Sequence, residues 1–186
     1  MEKENINELN KCASEAFAKG EYLIALQYYY RLLAIDTSSS AGHYNVGVVC
    51  GILGDIELAV AFYKKAIRLD ETNVRAINNL AGIYIYNLQD FDTAIKYLDY
   101  TIKIAPNDAE AYNAYGNIYL FKEDFKKAEL YFKKAIFLDE NYFKNHYDMA
   151  RACACLKQKT KAKKALKRCI ELAPNYQPAI DLQNNI

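Results

Sequence analysis

The sequence predicts an all-α protein made of repeated helical hairpins, and three observations lead to this fold class. Four columns of similar residues recur at a nearly constant spacing along the chain. Glycine and proline are scarce, with 7 and 3 residues among 186, which disfavours an all-β fold rich in tight turns. Hydrophobic residues make up 52% of the chain, enough for a sizeable core, and the net charge of +1 selects neither nucleic acid nor membrane.

The repeat is clearest in the columns of small and large residues. A column of alanines has separations of 34, 35, 34 and 34 residues: Ala25, Ala59, Ala94, Ala128 and Ala162. Three more columns keep the same spacing. One consists of small residues: Ala13, Gly47, Ala81, Gly116 and Ala150. Two consist of large residues: Tyr29, Tyr63, Leu98, Phe132 and Leu166, and then Ile35, Leu69, Ile104, Leu138 and Leu172. Small residues allow two helices to cross closely and large ones fill the space beside them, so each unit is expected to be a helical hairpin. Because one hairpin cannot bury its apolar face, neighbouring units must stack.

Turn residues mark the middle of the units, in order along the chain. Gly20 lies in unit one, Gly54 in unit two and Glu123 in unit four, while unit three has the longer segment 87–90. The extra residue of unit three falls in this turn, where it disturbs packing least. Proline closes two of the units, where a second helix must stop.

These residues resemble the signature of the tetratricopeptide repeat (TPR) family, whose period is 34. Gly47, Ala59, Tyr63 and Ala66 stand at the signature positions of unit two, and unit four matches equally well. The resemblance implies a right-handed α-α superhelix, a TPR solenoid of about five helix-turn-helix repeats. It also implies a single domain over 1–186. The five repeats are expected at 6–39, 40–73, 74–108, 109–142 and 143–176, and a partial capping helix at 177–186.

In a TPR array the first helices line a concave groove, so their outward-facing positions form the candidate binding surface. The side chains that we expect to contact a partner there are Tyr44, Asn45, Arg75, Asn78, Asn79, Tyr86, Asn113, Asn117, Lys144, Tyr147 and Arg151, with Asn10, Lys11, Phe121 and Asp148 at the same positions. Asparagine can pair with a peptide backbone, tyrosine offers flat contact area with a polar tip, and Arg or Lys suits a carboxylate. The sequence therefore predicts a scaffold that binds a peptide segment or partner protein, with no cofactor.

One activity of the family is disfavoured by these positions. TPR co-chaperones hold the acidic C-terminus of heat-shock chaperones with Lys and Asn, then Asn, then Lys and Arg on three successive first helices. The first three units of this chain offer instead Asn10 and Ser14, then Asn45, then Arg75 and Asn79. No other three successive first helices supply these five residues either, so we expect another class of partner.

The chain contains no recognisable catalytic or metal-binding motif. His43 and His146, the two histidines, both hold a packing position, so we expect structural roles for them. There is neither a glycine-rich phosphate loop nor a Gly-x-Ser-x-Gly turn. The five cysteines fit no disulfide framework or zinc ligand set, and reduced, mostly buried thiols are expected. The prediction is a protein that is not an enzyme and has no metal site.

The charge distribution leaves two alternatives open. Residues 143–186 hold nine basic and three acidic side chains, and seven of the basic ones lie in 157–168, the turn and second helix of unit five. A basic helix of this kind either keeps the end of the array soluble or forms a surface that binds an acidic protein, nucleic acid or another copy of this chain. The alternatives are thus a nucleic-acid-associated or regulatory protein and a homo-oligomeric module. We do not expect nucleic acid to be the main partner, because interleaved surface aromatics are missing.

The sequence also gives an expectation for the compartment. Residues 1–7 are polar and lack the apolar core of a signal peptide. No run approaches the roughly 18 apolar residues of a membrane span. With the cysteines, this predicts a cytoplasmic protein without a membrane partner.

Overall fold

The computed structural model describes residues 5–186, and within them it contains eleven α-helices and no strand. The start of the chain, on which the expectation of no signal peptide partly rests, lies outside the described residues. The helices are α1 (Ile6–Ala18), α2 (Tyr22–Ile35), α3 (Ser40–Leu53), α4 (Ile56–Leu69), α5 (Val74–Tyr86), α6 (Phe91–Ile104), α7 (Ala109–Phe121), α8 (Phe125–Leu138), α9 (Phe143–Cys155), α10 (Lys159–Leu172) and α11 (Gln177–Asn184). The all-α prediction is confirmed, and the odd-numbered helices start where the repeat frame starts.

Local capping explains why the first helices begin at these residues. The side chains of Ser39, Asn73 and Asp108 accept hydrogen bonds from backbone N–H groups in the first turns of α3, α5 and α7. Each cap satisfies a donor that the helix itself leaves unpaired, which stabilises the helix by about 1 kcal/mol.

The turn inside every repeat contains one residue in the left-handed backbone region. These residues and their φ values are Gly20 at 77°, Gly54 at 87°, Gln89 at 52°, Glu123 at 58° and Lys157 at 57°. Glycine adopts this region without steric cost, whereas a residue with a Cβ atom is destabilised there by about 1–2 kcal/mol. The first two turns therefore use the residue that fits, and the last three do not.

The chain divides into two compact units, Met1–Leu88 and Gln89–Ile186. In the first unit each helix from α1 to α4 packs on the next, and α3 also contacts α5. In the second unit each helix from α6 to α10 packs on the next, and α7 also contacts α9. That all five repeats form one domain stays a prediction.

The repeat columns form the core within each unit. All five alanines of the first column are completely buried, as the repeat frame requires. In the small column, a Cβ atom at Gly116 would lie 2.3 Å from the ring of Phe132, so only glycine fits this crossing. The predicted pairing of small and large residues is therefore a direct contact between two helices.

The histidines and cysteines lie where the packing columns place them. The Nε2 atoms of His43 and His146 lie 3.0 and 2.8 Å from main-chain carbonyl oxygens, as expected for structural histidines. Cys50, Cys153 and Cys169 are buried, and all five thiols are free. Burial raises the pKa of the Cys169 thiol to about 11, which keeps it protonated and unreactive.

Candidate functional site

In the first unit, predicted site residues meet at the face formed by the first helices α3 and α5. The Asn79 amide nitrogen donates to the Tyr63 hydroxyl at 3.3 Å and lies 3.5 Å from the Tyr44 hydroxyl. The rings of Tyr44 and Tyr63 are 6.0 Å apart. Burial raises the pKa of Tyr63 to about 12, although the hydrogen bond from Asn79 opposes this shift. Tyrosine and asparagine side chains are uncharged at physiological pH, so the cluster is polar and neutral.

Two cavities open beside this cluster of neutral polar groups. The smaller has a volume of about 170 Å³ and is lined by Phe17, Tyr29, Tyr44, Asn45 and Val48. The larger has a volume of about 320 Å³, and its lining includes Val48, Ile52, Tyr63, Asn79, Gly82 and Tyr86. Val48 borders both cavities, so they adjoin. We call the two cavities and the side chains Tyr44, Asn45, Val48, Asn79 and Tyr86 the amide groove.

The amide groove combines polar edges with an apolar floor. Asn45 borders the smaller cavity, and Asn79 and Tyr86 border the larger one. Tyr86 is 55% exposed, so its ring stands at the rim. Grooves of this composition bind ligands through a few placed polar groups and through burial of apolar side chains.

Two other predicted residues of the first unit lie elsewhere. Asn78 is buried, so the expectation that it faces a partner is wrong. Helix α5 packs against both α3 and α4, so more of its surface is buried than the direction of its side chains alone predicts. Arg75, one turn before Asn79 on α5, is exposed.

In the second unit, four side chains form a closed polar network between α7 and α9. One carboxylate oxygen of Asp148 accepts from the amides of Asn113 at 3.1 Å and Asn117 at 3.4 Å. The other accepts from the Arg151 guanidinium at 3.0 Å. The Asn117 amide nitrogen also donates to the Asn113 side-chain oxygen at 2.9 Å. We call these four residues the Asn-Asp-Arg network.

The network corrects the expected orientation of two of its members. Asn117 is 2% and Asp148 9% exposed, whereas the sequence predicts that both face solvent. The reason is that α7 and α9 pack together, so the polar side chains of one helix cover those of the other. Buried polar groups need partners, and these supply them to each other. Arg151 already neutralises Asp148 and so is not the free cation expected to meet a partner's carboxylate.

The remaining predicted residues of the second unit lie at the edge of the network. The Arg151 guanidinium lies 5.8 Å from the centre of the Tyr147 ring, whose edge-on neighbour is Tyr176 at 5.3 Å. Lys144 is exposed in the first turn of α9. Lys144 is thus accessible and Tyr147 half-buried, while the four network residues engage one another.

Sequence reasoning missed the apolar half of the amide groove. Val48 and Ile52 occupy the same outward-facing positions as the predicted polar residues, but the predicted surface contains only polar and aromatic side chains. Tyr63 belongs to the packing column, and its hydroxyl does not enter the predicted surface. A signal was available, because tyrosine rather than Phe or Leu in that column implies a hydrogen-bond partner for the hydroxyl.

Two further features are absent from the described part of the chain. Between residues 5 and 186, His, Cys, Asp and Glu side chains nowhere gather in threes that could hold a metal ion. No helix over the same residues has the length and apolar character needed to cross a membrane.

Comparison with known families agrees with this geometry. Family models of the tetratricopeptide repeat match residues 53–118, 109–142 and 143–176, which together cover about two thirds of the chain. The chain belongs to the tetratricopeptide repeat family, whose members are generally non-catalytic scaffolds for protein–protein interaction. The last two matches coincide with the fourth and fifth repeats of the sequence frame.

Several known proteins are similar to this chain. The photosystem I assembly protein Ycf3 of Rippkaea orientalis is 30% identical over an alignment of 125 residues, and the match covers 53% of this chain and 72% of that protein. A thermophilic TPR protein of Thermus thermophilus has a TM-score of 0.81 at 17% identity, and the match covers 97% of this chain and 96% of that one. YrrB, a TPR protein with an unusual peptide-binding site, has a TM-score of 0.62 at 21% identity over 98% and 94% of the two chains. The two structures show that the fold is a TPR solenoid.

Proposed function

We propose that this protein is a non-catalytic scaffold that binds an extended peptide segment of a partner protein in the amide groove. The observation that carries the proposal is the pair of adjoining cavities with an apolar floor at Val48 and asparagine amides at their edges. In this mode, Asn45 pairs with backbone groups of the peptide through its amide nitrogen and oxygen. Asn79 accepts from a peptide N–H through its side-chain oxygen, because its amide nitrogen is directed at the two tyrosine hydroxyls. An apolar side chain of the peptide enters the cavity of about 320 Å³.

The contacts around Asn79 support this mode of binding. Its amide is already held by Tyr63 and Tyr44, so little side-chain freedom is lost when a peptide binds. The ring of Tyr86 provides contact area at the rim. Arg75 is exposed on the same helix and suits an acidic side chain or the carboxylate of the peptide.

In the second unit, we assign partner contact to Lys144 and Tyr147 rather than to the network. Asn113, Asn117 and Arg151 are engaged with Asp148, and a peptide would have to displace these hydrogen bonds before it gained new ones. Their part in the proposed function is to hold α7 and α9 at a fixed spacing.

Similar proteins are consistent with a role in assembly. Ycf3 is named an assembly protein and YrrB is described with a peptide-binding site. By analogy, we propose that this chain brings partner proteins together without catalysing a reaction. We place this interaction in the cytoplasm, because five free thiols suit a reducing compartment.

The test begins with peptides selected on the full chain from a random peptide display library. The affinity of the strongest peptide is then measured by fluorescence anisotropy for wild type and for the Asn45→Ala/Asn79→Ala variant. We expect about tenfold weaker binding, because a backbone group left unpaired in the groove costs about 1–3 kcal/mol.

The matched control is the Asn107→Ala/Asn175→Ala variant, which removes two exposed asparagine amides outside the groove. It should bind the peptide as wild type does. Equal affinity of all three proteins would show that the amide groove is not the binding site.

A further inference from the structure

A larger groove lies in the second unit, between the second helices α8 and α10 and above α9. Its volume is about 550 Å³, in the range of ligand pockets. Ile136, Met149 and Ala165 supply apolar surface to its floor, and Lys164, Lys167 and Arg168 stand around it. We call this site the basic groove. It shares no residue with the amide groove, and all of its basic side chains lie on the second helix α10.

The charge of the basic groove is only partly neutralised. Lys161, which also lines it, is 3.2 Å from the carboxylate of Glu129, and Arg168 is 3.4 Å from that of Glu171. Lys164 and Lys167 are exposed and form no ion pair within residues 5–186. Glu171 also lines the groove and is engaged by Arg168, so the positive charges of Lys164 and Lys167 remain in excess beside the apolar floor.

The repeat frame accounts for only part of the charge of the basic groove, because Lys64 and Lys65 hold the positions of Lys167 and Arg168 in the second repeat. The positions of Lys161 and Lys164 are occupied by Leu58 and Ala61 in the second repeat. An exposed position of this helix does not need a lysine to remain soluble, since Leu58 is exposed at the position of Lys161 in the second repeat. The combination of basic rim and apolar floor is therefore a local feature of the surface.

We propose that the basic groove is a second docking site, which binds an acidic segment of a partner protein through an inserted apolar side chain. The charge complementarity argues for an acidic ligand, and Lys164 and Lys167 are the groups that would meet its carboxylates. The apolar floor argues for protein over nucleic acid, because a phosphate backbone has nothing to bury there. Its concave shape argues against a bilayer, whose surface cannot enter a pocket between two helices.

The experiment uses the full chain and a fluorescein-labelled synthetic peptide of Asp and Glu residues around a central Leu-Phe pair. A second peptide carries Ser-Ser in place of Leu-Phe and keeps the charge. At about 0.1 M salt we expect the Leu-Phe peptide to bind about tenfold more tightly than the Ser-Ser peptide, since two apolar side chains are buried. Equal affinities would overturn the proposal, because attraction would then depend on charge alone.

Two variants of equal charge locate the binding site. Lys164→Glu/Lys167→Glu reverses the two lysines of the groove, and Lys159→Glu/Lys163→Glu reverses two exposed lysines of the same helix that do not line it. The first should weaken binding of the Leu-Phe peptide about tenfold or more, and the second less than about threefold. Equal losses would overturn the proposal, and helix content by circular dichroism verifies that both variants are folded.

Two further probes separate the other classes of ligand. A single-stranded DNA oligonucleotide and vesicles of phosphatidylserine with phosphatidylcholine are offered to the same proteins. Weaker binding of both than of the Leu-Phe peptide supports the proposal. Tighter binding of either, lost in the Lys164→Glu/Lys167→Glu variant, would assign the basic groove to nucleic acid or membrane instead.

Discussion

The first-helix surfaces of the two units use the same repeat positions in opposite ways. In the first unit, Asn79 and its two tyrosine partners are neutral and border open cavities. In the second unit, Asn117 and Asp148 are buried in a network that contains a buried carboxylate and its guanidinium partner. The same frame thus yields a surface with room for a ligand in one unit and a surface closed by its own side chains in the other.

This difference shows that a repeat position does not by itself fix a function. Whether a polar side chain in the frame is available to a partner depends on what the neighbouring first helix places opposite it. The amide of Asn79 lies 3.5 Å from the Tyr44 hydroxyl, and each of these residues borders a cavity, whereas Asp148 accepts hydrogen bonds from Asn113 and Asn117. Polar residues of the second unit should therefore contribute to stability, and those of the first unit mainly to binding.

The largest test of this contrast removes the centre of the Asn-Asp-Arg network. Asp148→Ala removes the carboxylate that accepts from Asn113, Asn117 and the Arg151 guanidinium, so the free energy of unfolding should fall by about 2–4 kcal/mol. Urea unfolding followed by circular dichroism measures it. Asn79→Ala is the first-unit counterpart, and the contrast fails if the two variants lose the same stability.

The second test uses the alkaline side of the pH range. Because the pKa of Tyr63 is raised to about 12, the folded state favours the protonated phenol, and its contribution is complete below pH 10. This contribution is lost as the pH rises from 10 to 12, by about 1–2 kcal/mol. Tyr63→Phe should lose less stability than wild type over that range. Parallel losses in wild type and Tyr63→Phe over this range would contradict the role assigned to Tyr63.

The third test concerns two asparagines that the sequence places on the same candidate surface, at neighbouring positions of the repeat frame. Asn113→Ala should destabilise the protein by about 1–2 kcal/mol, since it removes a donor to Asp148 and an acceptor for Asn117. Asn79→Ala should cost about 0.5–1 kcal/mol, because its contacts to the tyrosines are longer and only partly buried. Thermal melts of both variants at one pH give the comparison, and a larger loss for Asn79→Ala would reverse our assignment.

The smallest expected effect concerns the turns. Glu123→Gly should stabilise the protein by about 0.5–1 kcal/mol, because φ is 58° at this residue. Gly20→Ala should destabilise it by about the same amount, since φ is 77° there and an added Cβ atom would have no neighbour within 4 Å. A higher unfolding midpoint for Glu123→Gly and a lower one for Gly20→Ala would support backbone strain at Glu123. Shifts of the same sign in both variants would contradict it.

Much of the fold could be predicted from the sequence, because its causes are local or periodic. Helix starts follow capping residues such as Ser39, and buried positions follow the alanine columns. The left-handed residues at Glu123 and Lys157 were less visible, since neither is the glycine that such a backbone favours. Their place could still be predicted from the period, but their conformation could not.

The candidate site was predicted less completely, and the reason is physical. Helical geometry gives the direction of a side chain from its own helix, and this placed Tyr44, Asn45 and Asn79 on the face with the cavities. It does not give the cover supplied by a neighbouring helix, which buries Asn78 and Asn117. Burial of a polar residue depends on two helices at once, whereas its outward direction depends on one.

The exposed ring of Tyr86 at the rim of the larger cavity has a spectroscopic consequence. The chain contains 17 tyrosines and no tryptophan, so its natural emission comes from many places at once. A Tyr86→Trp replacement would introduce a single indole, more than half of whose site is open to water. Its emission wavelength would report the polarity of that one spot, and a shift to the blue would register each molecule that fills the cavity, with no label attached to either partner.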